Sequence, residues 1–184
     1  MRVFVLCVGR SGSCSFYQAC RFLEGYSAGH ESLAGHVADR VYPDHHVEVD
    51  PQNVYWIPTL RRRYPDAKWV HLVRDRGANV ESLCRQCWEA MEAFAFQWFQ
   101  ARHPYDVVLA AGRFYDLTND LIAALCPDAL RIETERLAEG WEELRRSIGA
   151  QVIEDGESLE QVFRRRYNPG QDRGRDHYVE APNA

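Results

Sequence analysis

Short apolar runs alternate along the chain with longer stretches in which apolar residues recur at helical spacing. Val3–Val8 and Trp69–Val73 are almost continuously apolar, which predicts strands buried on both faces of a sheet. Shorter strands are predicted at 26–31, 47–49 and 130–132. The predicted helices span 16–23, 32–41, 54–64, 78–88, 89–102, 112–125 and 141–148. This alternation predicts an α/β fold of three layers, α/β/α, in which helices cover a central parallel sheet.

Composition limits the class of protein. A chain of 184 residues is long enough for one domain with its own core, which we place at 1–167. Residues 168–184 are rich in Gly, Pro, Asp and Arg and are predicted to form an irregular C-terminal tail. The net charge of −5 gives no bulk attraction to nucleic acid or to anionic membranes. Any anion site must therefore be built locally.

The sequence also bears on the compartment. No segment is long enough to span a membrane, and the apolar run Val3–Val8 ends at Gly9, too early for a secretory signal. Some of the six cysteines, such as Cys7 and Cys84, fall in strand-like or helix-like stretches rather than in a disulfide framework. A reduced, cytoplasmic protein is the expectation.

The loop between the first strand and the first helix has the composition of an anion site. It reads Gly9-Arg10-Ser11-Gly12-Ser13-Cys14-Ser15. Glycines allow the backbone a tight turn and a close approach to a ligand, and the free N–H groups of a helix N-terminus favour negative charge. The serine hydroxyls and the guanidinium of Arg10 add donors. A plain Gly/Ser turn before a capped helix is the alternative interpretation.

Two common phosphate loops do not fit. An ATP-type loop requires a Lys directly after its last glycine, but Lys68 is the only lysine of the chain and lies elsewhere. A Cys-x5-Arg phosphatase loop fails as well, because Ser13 and Cys20 occupy the positions six residues after Cys7 and Cys14.

Arg10-Ser11-Gly12-Ser13-Cys14 resembles the loop by which sulfotransferases hold the 5′-phosphosulfate of PAPS, 3′-phosphoadenosine 5′-phosphosulfate. The resemblance implies a later strand that ends in Arg, followed by a Ser, and these two residues bind the 3′-phosphate. Arg74, after the strand Trp69–Val73, and Ser82 match this pattern. The residues 131–137 resemble a further element of bacterial members. The family's fold is the P-loop nucleotide-hydrolase-like sulfotransferase fold.

The resemblance thus implies an enzyme, a PAPS-dependent sulfotransferase. The PAPS-binding residues are Arg10, Ser11, Gly12, Ser13, Cys14, Ser15, Arg74 and Ser82. The catalytic candidates are Glu31 as first choice for the base, His30 as second choice, and Arg10 for the leaving group. No metal is expected.

Other residues have weaker assignments. Glu48 is a lower-ranked candidate for the base or for acceptor binding. The aromatic residues of 94–99 either line an acceptor pocket or belong to the core. The Arg-rich stretch 164–175 either contributes to the 3′-phosphate site or forms a solvated surface.

The acceptor and the partners stay open at this point. A hydroxyl or an amine on a small molecule or glycan would serve as acceptor, and a homodimer could complete the pocket of a domain this small. The alternative functions are a P-loop nucleotide-dependent kinase or phosphotransferase, and a non-catalytic nucleotide-binding module.

Overall fold

The structure of the protein is a computed structural model that describes residues 1–34, 40–100, 103–153 and 159–164. Five parallel strands form one sheet in the order β2-β3-β1-β4-β5. They are β1 (Arg2–Cys7), β2 (Ser27–His30), β3 (His46–Val49), β4 (Lys68–Val73) and β5 (Leu130–Glu133). The central, all-parallel sheet predicted from the apolar runs is confirmed.

Helices connect the strands. They are α1 (Ser13–Cys20), α2 (Ile57–Arg63), α3 (Arg76–Gln86), α4 (Trp88–Phe99), α5 (Pro104–Leu125), α6 (Leu137–Ile148) and α7 (Leu159–Arg164). Two 3-10 helices, Pro51–Trp56 and Thr134–Arg136, precede α2 and α6. Within the described ranges, no helix has the length and apolar character that a membrane crossing requires.

The central strand β1 shows how the sequence creates three layers. Val3, Val5 and Cys7 point to one face, where they pack against α1, α6 and α7. Phe4 and Leu6 point to the other face, where they pack against α2 and α5. All five side chains are fully buried, because successive residues of a strand face opposite sides and both sides are covered by helices.

The helix predicted at 32–41 is wrong for the residues that the structure describes. Residues 32–34 form a turn and 40–41 are irregular, while 35–39 lie outside the described ranges. Instead, Ala34 N bonds Glu31 O in a tight turn, and the Glu48 carboxylate accepts the backbone N–H of Ser32 within that turn.

Other boundaries differ from the prediction. The helix predicted at 54–64 is a 3-10 helix followed by α2, and α5 begins at Pro104 instead of at Gly112. Pro104 is pre-organised for a first helical turn, and Val107 and Ala111 bury the added segment against α4. The helix α7 was not predicted, and the C-terminal tail 168–184 lies outside the described residues, so its irregularity stays a prediction.

Candidate active site

The loop between β1 and α1 lies where an open parallel sheet binds ligands. From β1 the chain passes to β2 at one edge of the sheet and returns to β3, and it then crosses β1 to reach β4 and β5 on the other side. The carboxyl end of β1 is therefore the point at which the strand order reverses, the usual place of a ligand crevice in such sheets. The loop 9–12 and the N-terminus of α1 occupy this point.

The backbone of the loop is shaped to present N–H groups. Gly12, the N-cap of α1, has a φ of 84°, and Arg10 has a φ of 71°, a left-handed conformation that few non-glycine residues adopt. The first helical hydrogen bond runs from Phe16 N to Gly12 O. The N–H groups of Ser13, Cys14 and Ser15 therefore precede the helical ladder, and together with the helix dipole they favour an anion.

Two side chains that the sequence analysis did not single out hold this loop in shape. The hydroxyl of Thr134 lies 2.6 Å from Ser11 O and 3.1 Å from Val73 O. Asn79, fully buried in α3, donates from Nδ2 to Gly9 O at 3.2 Å and to Ser11 Oγ at 2.9 Å. Thr134 lies within 131–137 and Asn79 precedes Ser82 on α3, but only the fold reveals that their side chains hold the loop.

The two halves of the predicted site meet across the pairing of β1 with β4. Arg74 Nη1 donates to Arg10 O at 3.0 Å, and Arg10 Nε donates to Ser82 Oγ at 3.2 Å. Arg74 is fixed in turn by Tyr115, whose hydroxyl donates to its carbonyl at 2.5 Å. Asp75, the residue after Arg74, caps α3 by accepting from Ala78 N at 2.9 Å. Arg10, Arg74 and Ser82 therefore form one cluster beside the N-terminus of α1.

The candidate bases lie directly after β2. His30 Nε2 lies 3.0 Å from Ser13 Oγ and 3.6 Å from Cys14 Sγ, so its ring spans from β2 to the loop. Glu31 is exposed and has a φ of 53°, and its N–H donates to Val49 O at 3.1 Å.

The pKa of the Cys14 thiol responds to the charges of Glu31 and Arg10. Burial raises the pKa of Cys14 above its ordinary value, and the Glu31 carboxylate raises it further, whereas Arg10 lowers it. The negative charge of Glu31 is therefore felt at the first turn of α1, the part of the loop that would face an anionic ligand.

The weaker assignments have different outcomes. Glu48 is fully buried, so the interpretation that it acts as a base or binds the acceptor is wrong. On α4, Phe96, Trp98 and Phe99 are exposed, and Phe94 packs against Phe114, so the acceptor pocket stays a prediction. Of the Arg-rich stretch 164–175, only residue 164 lies within the described ranges. Among the described residues no group of three or more His, Cys, Asp or Glu could hold a metal ion.

Comparison with known proteins decides the family. A family model described as "Sulfotransferase domain" matches residues 20–111, half of the chain. The chain belongs to the sulfotransferase family. The matched range contains Glu31, Arg74 and Ser82, while the loop 9–15 precedes it. The resemblance drawn from the sequence is confirmed, and the fold of the chain, with its five parallel strands, is consistent with the P-loop-like fold of that family.

One curated relative adds a more specific similarity. A Caenorhabditis elegans protein named "Putative protein-tyrosine sulfotransferase" is 34% identical over 62 residues. The match covers 34% of this chain and 20% of the relative. Because the chain spans only about a fifth of that protein, the acceptor named there is a property of the relative.

Proposed function

We propose that the protein is a PAPS-dependent enzyme that transfers a sulfuryl group to a hydroxyl, or an amine, of a small-molecule or glycan acceptor. One observation carries the proposal. Two arginines from separate loops, Arg10 and Arg74, converge at the carboxyl edge of the sheet beside the N-terminus of α1. Such a site suits a ligand with negative charge at two places, and PAPS has a 5′-phosphosulfate and a 3′-phosphate.

Each residue has a role in this proposal. The N–H groups at the start of α1 and the guanidinium of Arg10 hold the 5′-phosphosulfate. Arg74 and Ser82 hold the 3′-phosphate. The Ser82 hydroxyl, which accepts a hydrogen bond from Arg10, can donate its own hydrogen to a phosphate oxygen. Thr134 and Asn79 keep the loop in its binding conformation, so that less ordering is required when the donor binds.

The transfer follows from these positions. Glu31 accepts the proton of the acceptor hydroxyl, and the acceptor oxygen forms a bond to sulfur as the bond from sulfur to the 5′-phosphate oxygen breaks. Arg10 and the N–H groups of α1 stabilise the charge that develops on the leaving phosphate. The products are a sulfate ester and adenosine 3′,5′-bisphosphate. His30 is the second candidate for the base.

The test of the donor site is a thermal shift with adenosine 3′,5′-bisphosphate, compared with 5′-AMP and with ATP–magnesium. At a ligand concentration of one hundred times Kd, binding stabilises the folded protein by about 2.7 kcal/mol, which raises the Tm by about 5–10 °C for a chain of this size. We expect the largest shift with the bisphosphate.

Substitution of Arg74 makes the test specific. Arg74→Ala should abolish the preference for the bisphosphate over 5′-AMP, because it removes the charge assigned to the 3′-phosphate. Arg85→Ala is the matched control, since Arg85 is an exposed arginine of α3 that pairs with Glu81. A wild type without preference for the bisphosphate, or a preference that survives Arg74→Ala, would refute the 3′-phosphate assignment.

A turnover assay separates the enzyme from a non-catalytic nucleotide-binding module. The assay measures the sulfated product and the bisphosphate released from PAPS with a panel of phenols, tyrosine-containing peptides, sugars and amines. The relative's name places the tyrosine peptides first in this panel. Binding of the donor without product from any acceptor would favour the module.

The kinase alternative loses support from the position of Lys68. This residue begins β4, whereas the loop 9–12 lies at the opposite, carboxyl edge of the sheet. A strand rises about 3.3 Å per residue, so Lys68 begins well over 10 Å below that edge. Saturable stabilisation by ATP–magnesium without stabilisation by the bisphosphate would restore the alternative.

The homodimer and the cytoplasmic location are part of the proposal. Four exposed leucines of α5 offer an apolar surface for a second copy: Leu109, Leu117, Leu121 and Leu125. Analytical ultracentrifugation of the full chain tests the dimer. All six cysteines are free thiols, in keeping with a reducing compartment, and cell fractionation tests the location.

A further inference from the structure

Glu48 is a charged side chain buried completely in the sheet, one strand away from the candidate base. It lies on β3 next to Gly29 of β2 in the strand register and has no exposed surface. Its Oε1 accepts from Ser32 N at 2.9 Å, and its Oε2 accepts from Ser32 Oγ at 2.5 Å. The ring of His46 approaches Oε2 at 2.9 Å. Burial of a carboxylate is costly unless hydrogen bonds or an opposite charge compensate it.

The absence of a side chain at Gly29 leaves room for the Glu48 carboxylate and its hydrogen-bond partners. A Cβ on Gly29 would meet the Glu48 carboxylate and would lie 3.1 Å from both His46 Nε2 and Ser32 Oγ. The network continues to Ser27, whose hydroxyl lies 2.8 Å from His46 Nδ1. A chain of polar contacts therefore runs along β2 and β3, from Ser27 at the start of β2 to Ser32 beyond its end.

The Ser32 end of this series of polar contacts lies next to Glu31 in the sequence. Glu31 occupies a left-handed backbone conformation with a φ of 53°, a strained conformation that persists only where neighbouring contacts fix it. On one side the Glu31 N–H bonds Val49 O. On the other side the next residue, Ser32, is bonded through both its N–H and its hydroxyl to Glu48. Glu48 thereby fixes the turn that directs the Glu31 carboxylate.

We infer that Glu48 is a positioning residue for the base Glu31, an inference that rests on the proposed function. Glu48 itself does not reach an acceptor, because it is fully buried. It acts by holding Ser32, and through Ser32 the strained turn, so that Glu31 stays directed toward the loop that binds the donor. Different residues hold the donor loop and the Glu31 turn, since Thr134 and Asn79 hold the donor loop, whereas Glu48 holds Ser32.

The first experiment measures kcat, KM for PAPS, and the dissociation constant of adenosine 3′,5′-bisphosphate. Glu48→Ala and the isosteric Glu48→Gln are compared with wild type. Misplacement of a catalytic group by about 1 Å can cost about 100-fold in rate, so we expect Glu48→Ala to lower kcat by about 10- to 100-fold. Glu48→Gln keeps one acceptor for Ser32 N and should lose less. Affinity for the bisphosphate should stay within about twofold of wild type, because the donor loop keeps its own hydrogen bonds.

The matched control is Ser27→Ala. Ser27 belongs to the same polar chain but lies at its far end and contacts His46 instead of Glu48 or Ser32. It should leave kcat unchanged. Glu48→Gln keeps the volume and much of the hydrogen bonding of the buried side chain, and it serves as the test if Glu48→Ala does not fold, as judged by circular dichroism and a cooperative thermal transition.

A double-mutant cycle with Glu31→Gln shows whether Glu48 acts through Glu31. If it does, Glu48→Gln lowers kcat in the wild type but adds little to the loss already caused by Glu31→Gln, since residues that act as a unit are strongly non-additive. A general structural role would instead give additive losses and would weaken bisphosphate binding. Additive losses, a folded Glu48→Gln variant with wild-type kcat, or weakened donor binding would each overturn the inference.

The cycle also separates this inference from the proposed function. If Glu31→Gln keeps wild-type kcat, the assignment of the base fails, and the positioning role fails with it. If Glu31→Gln lowers kcat and the cycle is additive, the base stands and only the role of Glu48 is refuted.

Discussion

Replacement of Gly12 by Ala tests the conformation of the loop on which the proposed donor site depends. Two physical effects oppose the substitution. The φ of Gly12 is +84°, and a left-handed conformation costs a residue with a Cβ about 1–2 kcal/mol. The new Cβ would also lie 2.7 Å from Thr134 Cγ2, a distance that requires one of the two groups to move.

Thr134 cannot rotate away without loss. Its hydroxyl lies within hydrogen-bonding distance of Ser11 O and Val73 O, so a rotation that relieves the clash breaks contacts that hold the loop. Overpacking of this kind costs about 1–3 kcal/mol. Together with the backbone strain, we expect Gly12→Ala to lower the free energy of unfolding by about 3 kcal/mol, which lowers the Tm by about 6–12 °C in a chain of this size.

The assay is urea and thermal unfolding of three variants. Gly9→Ala is the control from the same loop, because a Cβ at Gly9 would meet no atom within 4 Å. Gly12→Ala with Thr134→Ser removes the clashing methyl group and keeps the hydroxyl, so it should recover the steric part of the loss and leave the strain. A Gly12→Ala variant within about 0.5 kcal/mol of the control, or no recovery with Thr134→Ser, would refute this reasoning.

Two further predictions concern the core and the loop. Asp50→Ala should lower the free energy of unfolding by about 3–5 kcal/mol in urea titrations, because it leaves the buried charge of Arg40 without its ion-pair partner. Arg85→Ala, which breaks an exposed pair, should lower it by less than about 1 kcal/mol. Equal effects of the two substitutions would contradict the argument. The raised pKa of Cys14 reduces its thiolate fraction at a given pH, so iodoacetamide should modify it slowly at pH 8, and faster in Glu31→Gln because the charge that raises the pKa is gone. Mass spectrometry of the Cys14 peptide measures both rates, and an unchanged rate in the variant would argue against the proximity of Glu31.

The sequence by itself determined the features that depend on local chemistry. The apolar run Val3–Val8 can only be covered on both faces, which predicts a strand of a parallel sheet. Gly12 and the serines around it indicate a loop that presents N–H groups, and the position of Arg74 directly after a buried strand places it at the carboxyl edge. The lone lysine, Lys68, separates this loop from ATP-type loops. Each of these conclusions needs only neighbouring residues.

Local patterns were misleading where distant groups compete for the backbone. The stretch 32–41 was predicted to be a helix, but residues 32–34 form a turn that the buried Glu48 holds through the N–H of Ser32. In the other direction, Gly112 suggested that α5 begins there. The structure continues the helix through it. A Cβ at Gly112 would lie 2.8 Å from the guanidinium of Arg76, so the glycine makes room for that side chain and does not mark a boundary.

The tertiary structure alone decided which residues form the site. The pairing of β1 with β4 brings Arg74 to the carbonyl of Arg10, and Thr134 reaches Ser11 across 123 positions of the chain. No sequence pattern assigns a supporting role to Thr134, Asn79 or Glu48, because a polar side chain has no identifiable partner until burial and strand order provide one. The sequence thus predicted an anion-binding loop at the end of β1, and the tertiary structure decided which side chains hold that loop in shape.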